Sequence, residues 1–139
     1  SNQTLLGVIT RRAVMDRMSK EQLSGLPTFS EQISQKVVLQ ANHFEITVEP
    51  SMLEKSGVLS NGVLTEVLTT VTRQLMMNSG KNLIIEQLLV YYLQAVQVDD
   101  TLRIETRIVR QTRRSAIIDF DLYLNLQLVT KATVTLKIN

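Results

Sequence analysis

The chain has 139 residues, a net charge of +2 and an apolar fraction of 44%, which is the size and composition of one globular domain with one main core. The lack of cysteine and the single histidine exclude disulfides and thiolate catalysis and leave no ordinary zinc site, so we expect no metal. The low net charge and the few aromatic residues disfavour direct nucleic-acid binding, and no apolar run is long enough to span a membrane, so we expect a cytoplasmic protein.

The beginning of the chain combines a short apolar run with an amphipathic pattern. Residues 5–10 predict a buried strand, and residues 11–18 predict a helix. The sequence at 7–12, Gly-Val-Ile-Thr-Arg-Arg, resembles the last strand and helix of a CBS module, which implies that residues 1–18 end such a module in a longer protein. A position that is commonly acidic in that family is Ala13 here, so we expect no nucleotide binding. We predict that the segment docks on the following domain or on a neighbouring chain.

The next segment changes character. Residues 19–36 are rich in Ser, Gln and Lys and lack a sustained apolar period, so we expect a linker with one short helical turn near Glu31. Residues 37–48 are strand-like. One face of that strand is predicted to carry the apolar side chains of Val38, Phe44, Ile46 and Val48.

A long helix is predicted over residues 58–78. Apolar residues recur there at spacings of three and four, the pattern of a helix with one buried stripe, at Val63, Leu64, Val67, Leu68, Val71 and Leu75. Gly80 is predicted to end the helix. The opposite side is predicted to carry four polar side chains, those of Glu66, Thr69, Thr70 and Arg73.

Strands follow the helix at residues 82–98, 101–111 and 115–138, the last of them broken near Asn125. Asp99 and Asp100 mark a turn between the first two. One strand, one long helix and four further strands indicate an α+β fold in which the strands pair as an antiparallel meander and the helix is buried on one face of the sheet. Apolar residues alternate with polar ones in the last two strands, at Ala116, Ile118, Phe120, Leu122 and Leu124, and at Ala132, Val134, Leu136 and Ile138.

Several short matches together resemble hotdog-fold acyl-thioester proteins. They are the helix start at residues 57–64, the turn at residues 98–102, and Arg113 and Arg114 at the start of the next strand. The resemblance covers roughly residues 36–139. It implies a hotdog domain at residues 37–139, with an antiparallel sheet wrapped around one long central helix. It also implies a homodimer or higher oligomer with the ligand pocket between two chains, an acyl-CoA or related thioester as ligand, and no cofactor.

The resemblance also points to candidate site residues. Many hotdog thioesterases begin the helix with His-Gly-Gly and carry a catalytic carboxylate seven positions after the second Gly. Here those positions hold Ser60, Asn61, Gly62 and Thr69. Threonine has no basic group at neutral pH, so the usual hydrolysis loses its base. The resemblance therefore implies that Asn61, Gly62, Thr69 and Thr70 bind an acyl thioester rather than cleave it.

Other residues have weaker functional interpretations. Arg113 and Arg114 match a position where hotdog proteins often contact CoA phosphates, for which guanidinium groups are suited. Glu66, the only acid in the helix, lies one turn before Thr69 and is a weak candidate for a catalytic base. His43 is interpreted as structural, and Tyr91 and Tyr92 as core or interface residues.

The function expected from the resemblance is acyl-CoA sensing within a bacterial regulatory protein that joins CBS modules to a carboxy-terminal hotdog domain. Two alternatives remain open. The chain is an active thioesterase that uses Glu66, or it is a structural dimerisation module whose pocket is filled by Leu64, Leu68 and Met76. Any DNA contact of such a protein would lie outside this chain.

Overall fold

A computed structural model describes residues 7–15, 28–77 and 82–139, and for residues 7–15 it describes the backbone. These ranges contain two α-helices and seven strands. In chain order they are β1 (Gly7–Met15), α1 (Phe29–Lys36), β2 (Val38–Leu39), β3 (Phe44–Thr47), α2 (Asn61–Leu75), β4 (Leu83–Tyr92), β5 (Thr101–Gln111), β6 (Ser115–Leu124) and β7 (Gln127–Ile138), with a short 3-10 turn at Pro50–Met52 before α2.

The amino-terminal segment belongs to the main sheet. β1 pairs antiparallel with β4, from Gly7 opposite Tyr92 to Met15 opposite Leu83. The helix predicted at residues 11–18 is therefore wrong for residues 11–15, because this backbone completes the edge of a sheet, and the rest of that prediction lies outside the described residues. Residues 7–15 thus dock on the following domain through backbone pairing with β4, as predicted. Their origin in a CBS module stays a prediction.

The predicted linker ends in a helix rather than in a single turn. α1 is capped by the Thr28 hydroxyl, which accepts a hydrogen bond of 3.0 Å from the Glu31 amide. After α1, the strand predicted at residues 37–48 is divided into β2 and β3. Its inner face carries Phe44, Ile46 and Val48, whereas Val38 is 49% exposed because it lies on the two-residue edge strand.

The predicted long helix is confirmed as α2. Ser60 begins it, since its hydroxyl accepts a hydrogen bond of 3.3 Å from the Val63 amide. The apolar stripe is buried as predicted, with Leu75 partly buried at the end. The helix ends at Leu75, where the Met76 amide donates to the Thr72 carbonyl at 2.9 Å. Gly80 lies outside the described residues.

The strands form one antiparallel sheet in the order β1-β4-β7-β6-β5-β3-β2. Only β5, β6 and β7 form a meander, so the prediction of a meander of four strands is wrong. β4 pairs with β7, and residues 93–100 cross the end of the sheet from β4 to β5. The predicted turns are confirmed by the positive φ angles of Asp99 and Asn125, at 73° and 56°.

The core lies between α2 and the inner face of the sheet. The alternating apolar residues of β6 and β7 are buried there with the stripe of α2. Each fully buried aliphatic side chain contributes about 1.5–3 kcal/mol to folding. The central helix wrapped by one antiparallel sheet confirms the predicted hotdog fold. Within the described ranges, no helix has the length and apolarity needed to cross a membrane.

A polar network covers part of the outer face of the sheet. The Asp119 carboxylate accepts hydrogen bonds from Thr133 at 2.8 Å and from Arg107 at 3.0 Å, and Lys131 pairs with Asp121 at 2.9 Å. Burial alone would raise the pKa of Asp119. The two hydrogen bonds and the charges of Lys131 and Arg107 outweigh that effect and hold this pKa below its usual value. The Arg107 side chain therefore links the outer face of β5 to β6.

Candidate functional site

The start of α2 is fixed by the loop before it. Gly57 has a φ of +85°, and its carbonyl accepts a hydrogen bond of 2.8 Å from the Val96 amide in the crossing segment. A Cβ on Gly57 would lie 3.1 Å from the Cβ of Ala95, so glycine fits this close approach. The Ser60 amide donates to the Met52 carbonyl at 2.8 Å. These bonds set the direction in which the helix leaves the end of the sheet.

Tyr92 connects the first residue of α2 to the end of β4. Its hydroxyl donates to the Asn61 Oδ1 atom at 3.2 Å, and its ring is buried. Burial, with a smaller contribution from the negative charge of Glu54, raises the pKa of Tyr92 to about 12. The hydroxyl therefore stays protonated at neutral pH and donates to Asn61.

Two backbone donors remain open at the helix start. The amides of Asn61 and Gly62 find no acceptor within residues 7–15, 28–77 and 82–139, as expected for the first turn of a helix. Both residues are exposed. The nearest side chain to Gly62 among the described residues is Phe29 of α1, whose Cε2 atom would lie 4.0 Å from an added Cβ, and Phe29 is itself 50% exposed. Donors and the positive end of the helix dipole thus face an accessible region with an aromatic ring beside it.

A row of threonines runs along α2 from this start. Thr65, Thr69 and Thr72 recur at spacings of four and three, so they share one side of the helix, and their exposures are 8%, 7% and 0%. We call them the threonine row. Thr69 lies on the side of the helix opposite the apolar stripe, as predicted, but its side chain is buried.

The threonine hydroxyls of α2 differ in their hydrogen bonds. Thr65 donates to the Asn61 carbonyl at 2.7 Å and Thr70 donates to the Glu66 carbonyl at 2.8 Å, the usual bond to the preceding turn. Among the described residues, neither the hydroxyl of Thr69 nor the fully buried hydroxyl of Thr72 has a hydrogen-bond partner. Leaving a buried hydroxyl unpaired costs about 1–3 kcal/mol, so Thr72 calls for an explanation.

The Glu66 side chain forms a contact between α2 and α1. Its Oε2 atom accepts a hydrogen bond of 2.6 Å from the Ser30 hydroxyl of α1, and its side chain is half-buried. This contact lies one turn after Gly62 and close to Phe29, so α1 covers this side of α2. A base held in this way has lost part of its freedom to approach a water molecule.

Arg113 and Arg114 lie at the other end of the sheet. They are exposed in the turn between β5 and β6, directly before Ser115. Tyr92 pairs through Thr130 with Leu122 on β6, and seven residues of strand separate Leu122 from Ser115, which is roughly 23 Å along the strand. One chain therefore does not bring the arginine pair together with the start of α2.

The remaining sequence candidates lie outside this cluster. His43 contacts the Glu45 carboxylate at 2.8 Å and the Asn42 side chain at 3.2 Å, both close in sequence. Tyr91 is half-exposed on the outer face, whereas Tyr92 is in the core. Within the described ranges, no group of three or more His, Cys, Asp or Glu side chains could hold a metal ion.

The sequence does not predict that three residues, Tyr92, Phe29 and Thr72, belong to the site. Tyr92 was interpreted only as a core or interface residue, and nothing in its neighbourhood predicts a bond to Asn61, 31 positions away. Phe29 lay in a predicted linker. Thr72 did leave a signal, because it follows Thr65 and Thr69 at helical spacing within an otherwise apolar helix.

The class of protein follows from a family comparison. A model described as the thioesterase superfamily matches residues 56–125, from the loop before α2 to the end of β6. The match covers half of the chain and includes the helix start and the threonine row. The chain belongs to the thioesterase superfamily.

Individual proteins are similar to this chain in sequence or in fold. An uncharacterized protein of Bacillus subtilis (strain 168), YtoI, is 22% identical over an alignment 148 positions long, which covers 99% of this chain and 33% of that protein. The chain thus spans a third of the length of this curated relative. The fold is similar to that of a hypothetical thioesterase of Streptococcus pneumoniae TIGR4 with coenzyme A (23% identical, 74% of this chain and 84% of that chain, TM-score 0.63). It is also similar to a protein of Streptococcus mutans UA159 bound to acetyl CoA (23% identical, 75% and 87%, TM-score 0.63).

Proposed function

We propose that this chain binds an acyl-CoA or a related acyl thioester without hydrolysing it, as the cytoplasmic sensing domain of a longer regulatory protein. The observation that carries this proposal is Thr69. It occupies the position where the resemblance implies a carboxylate in thioesterases, and its hydroxyl is free of hydrogen bonds within the described residues. The site thus has a hydrogen-bond donor where hydrolysis needs a base.

The surrounding groups suit a thioester. The open amides of Asn61 and Gly62 carry partial positive charge and would donate to an oxygen of the ligand. Gly62 has no side chain to obstruct that approach. Thr69, two turns further along α2, would donate to the thioester carbonyl or to an amide of the pantetheine arm. Thr70 is less suited, because its hydroxyl is already bonded to Glu66.

Two similar structures support the ligand class. The S. pneumoniae thioesterase contains coenzyme A and the S. mutans protein contains acetyl CoA, both on this fold. The absence of a base at position 69 favours binding over turnover in this chain. The length of YtoI, of which this chain spans a third, is compatible with a domain inside a longer protein.

A second copy of the chain gives the arginine pair a role. β3 pairs only with residues 101–104 of β5, so in the described part of the chain the outer edge of residues 105–111 is unpaired, and it exposes Ile108 and Val109. An open edge of this kind favours pairing between copies. In a dimer with its pocket between two chains, Arg113 and Arg114 of one copy could hold the phosphates of a CoA bound at the α2 start of the other.

Native mass spectrometry with a panel of acyl-CoAs, followed over time, tests the proposal. We expect an intact acyl-CoA adduct on a dimer, with no free CoA released above a no-protein control. Release of CoA would establish a thioesterase and overturn the non-catalytic proposal. A dimer with no adduct at any acyl length would overturn ligand binding and indicate a structural dimerisation module, in which Leu64, Leu68 and Met76 fill the interior.

Thioesterase activity through Glu66 is the second candidate function, because a half-buried carboxylate lies one turn from both Gly62 and Thr69. If the wild-type protein releases CoA, Glu66→Gln should reduce that rate at least about a hundredfold, the usual contribution of a general base. Ser30→Ala is the matched control, since it frees Glu66 from its partner without removing the carboxylate. Turnover that survives Glu66→Gln would show that Glu66 is not the base.

A further inference from the structure

The threonine row ends at Thr72, whose buried hydroxyl is unpaired among the described residues. Thr72 is fully buried, so bulk water does not reach it, and its hydroxyl has no hydrogen-bond partner in the part of the chain that the structure describes. Thr65 and Thr70, on the same helix, show that a threonine there can bond to the preceding turn. Thr72 does not make this bond. No described residue satisfies the donor and the acceptor of this hydroxyl, so both remain available to a bound group.

Thr69 and Thr72 are neighbours on α2, and within the described residues neither hydroxyl makes a hydrogen bond. They lie three residues apart on one side of α2, which places their Cβ atoms about 5–6 Å from each other. The side chains next to Thr72 in the helix are apolar and buried, including Leu68 and Val71. A polar group that packs along this side beyond Thr69 would meet one hydroxyl in an otherwise apolar wall.

We propose that Thr72 sets the ligand specificity of this site, by binding an oxygen carried by the acyl chain near the thioester, as in a 3-hydroxyacyl or 3-oxoacyl group. This inference rests on the acyl-thioester binding proposed above. The thioester carbonyl oxygen, on C1, accepts a hydrogen bond from Thr69. The second oxygen, on C3 of the acyl chain, forms a hydrogen bond with Thr72. Two oxygens with that separation match two hydroxyls one helical turn apart.

An unsubstituted acyl chain fits this wall less well. It would leave the Thr72 hydroxyl buried and unpaired in the complex, whereas the oxygenated chain would satisfy it. One added hydrogen bond is worth about 1 kcal/mol, which is roughly a fivefold change in affinity. The oxygenated ligand should therefore bind at least about fivefold more tightly than its unsubstituted counterpart.

Paired ligands and matched variants test this inference. Dissociation constants are measured by isothermal titration calorimetry for butyryl-CoA and for both enantiomers of 3-hydroxybutyryl-CoA, and the ratio of their dissociation constants is compared between proteins. Thr72→Val removes the hydroxyl at nearly constant volume, and Thr72→Ser retains it. Thr65→Val is the control. It also replaces a buried threonine, but the hydroxyl of Thr65 is already bonded to the Asn61 carbonyl of the same helix.

We expect the wild type, Thr72→Ser and Thr65→Val to prefer one 3-hydroxybutyryl enantiomer by at least about fivefold, and Thr72→Val to lose this preference. Without ligand, Thr72→Val should melt at a higher temperature than the wild type, since it removes an unpaired buried hydroxyl. Equal binding of the plain and oxygenated ligands to the wild type would overturn the role of Thr72 and leave acyl-CoA binding intact, as would a preference that persists in Thr72→Val. No binding of either ligand would overturn both proposals.

Discussion

Replacing Gly62 by alanine should separate stability from ligand binding. Gly62 lies in the first turn of α2 without a positive φ angle, and the nearest atom to an added Cβ would be Phe29 Cε2 at 4.0 Å, an ordinary contact distance. Alanine is the better helix former by up to about 1 kcal/mol. Gly62→Ala should therefore raise the free energy of unfolding by about 0.5–1 kcal/mol, which corresponds to a Tm increase of roughly 2–5 °C for a domain of this size.

Ligand affinity should change in the opposite direction. The added methyl group occupies the space through which a ligand approaches the open amides of Asn61 and Gly62, so acyl-CoA affinity should fall at least about tenfold. Unfolding is followed by circular dichroism in urea, and binding by calorimetry on the same samples. Gly57→Ala is the control. Its φ of +85° and the contact of 3.1 Å with Ala95 predict a clear loss of stability.

Two results would refute this reasoning. If Gly62→Ala becomes more stable and binds acyl-CoA as well as the wild type, the ligand does not approach the backbone at Gly62. If Gly62→Ala is less stable than the wild type, the packing around the start of α2 is tighter than the distance to Phe29 indicates. Stability that is unchanged in Gly57→Ala would remove the steric argument for the loop before α2.

Two further predictions concern hydrogen bonds made by side chains of the sheet, one to α2 and one between strands. Tyr92→Phe should lower the free energy of unfolding by about 0.5–1 kcal/mol, because it removes the bond to Asn61 while water can still solvate that exposed amide; unchanged urea unfolding would show that the bond contributes nothing. The pKa of Asp119 is lowered in the folded state, so its contribution to stability is present above its ordinary value of 3.8 and is lost as the pH falls toward the lower folded value. Asp119→Asn should therefore be about 1 kcal/mol less stable than the wild type at pH 7, with the difference shrinking below pH 4; a difference that stays constant down to pH 2 would contradict this assignment.

The sequence predicts those parts of the fold that depend on periodicity. The stripe of α2 and the alternation in β6 and β7 each place a set of side chains on one face, and burial then follows from the pattern. The order of the strands is not periodic. β4 lies beside β7 because residues 93–100 cross the sheet, and no local pattern distinguishes such a crossing from a hairpin.

The amino-terminal segment shows a different limit of sequence analysis. Residues 11–15 have a helical apolar spacing, but β4 offers an open edge whose backbone groups pair with them. Tertiary pairing therefore outweighs the local pattern. The candidate site was found only as far as a resemblance carried it, to Asn61, Gly62 and Thr69. Its other contacts, between Tyr92 and Asn61 and between Ser30 and Glu66, join residues more than 30 positions apart.

The register of β1 places the amino-terminal end of this strand beside a residue that contacts the start of α2. Gly7 is the strand partner of Tyr92, and the Tyr92 hydroxyl holds the first residue of α2. A pull on the chain from its amino-terminal side would load this ladder from the Gly7 end, at the rung that supports the ligand-facing helix. Tension, slippage or release of β1 would thus be transmitted to the start of α2 through one tyrosine side chain.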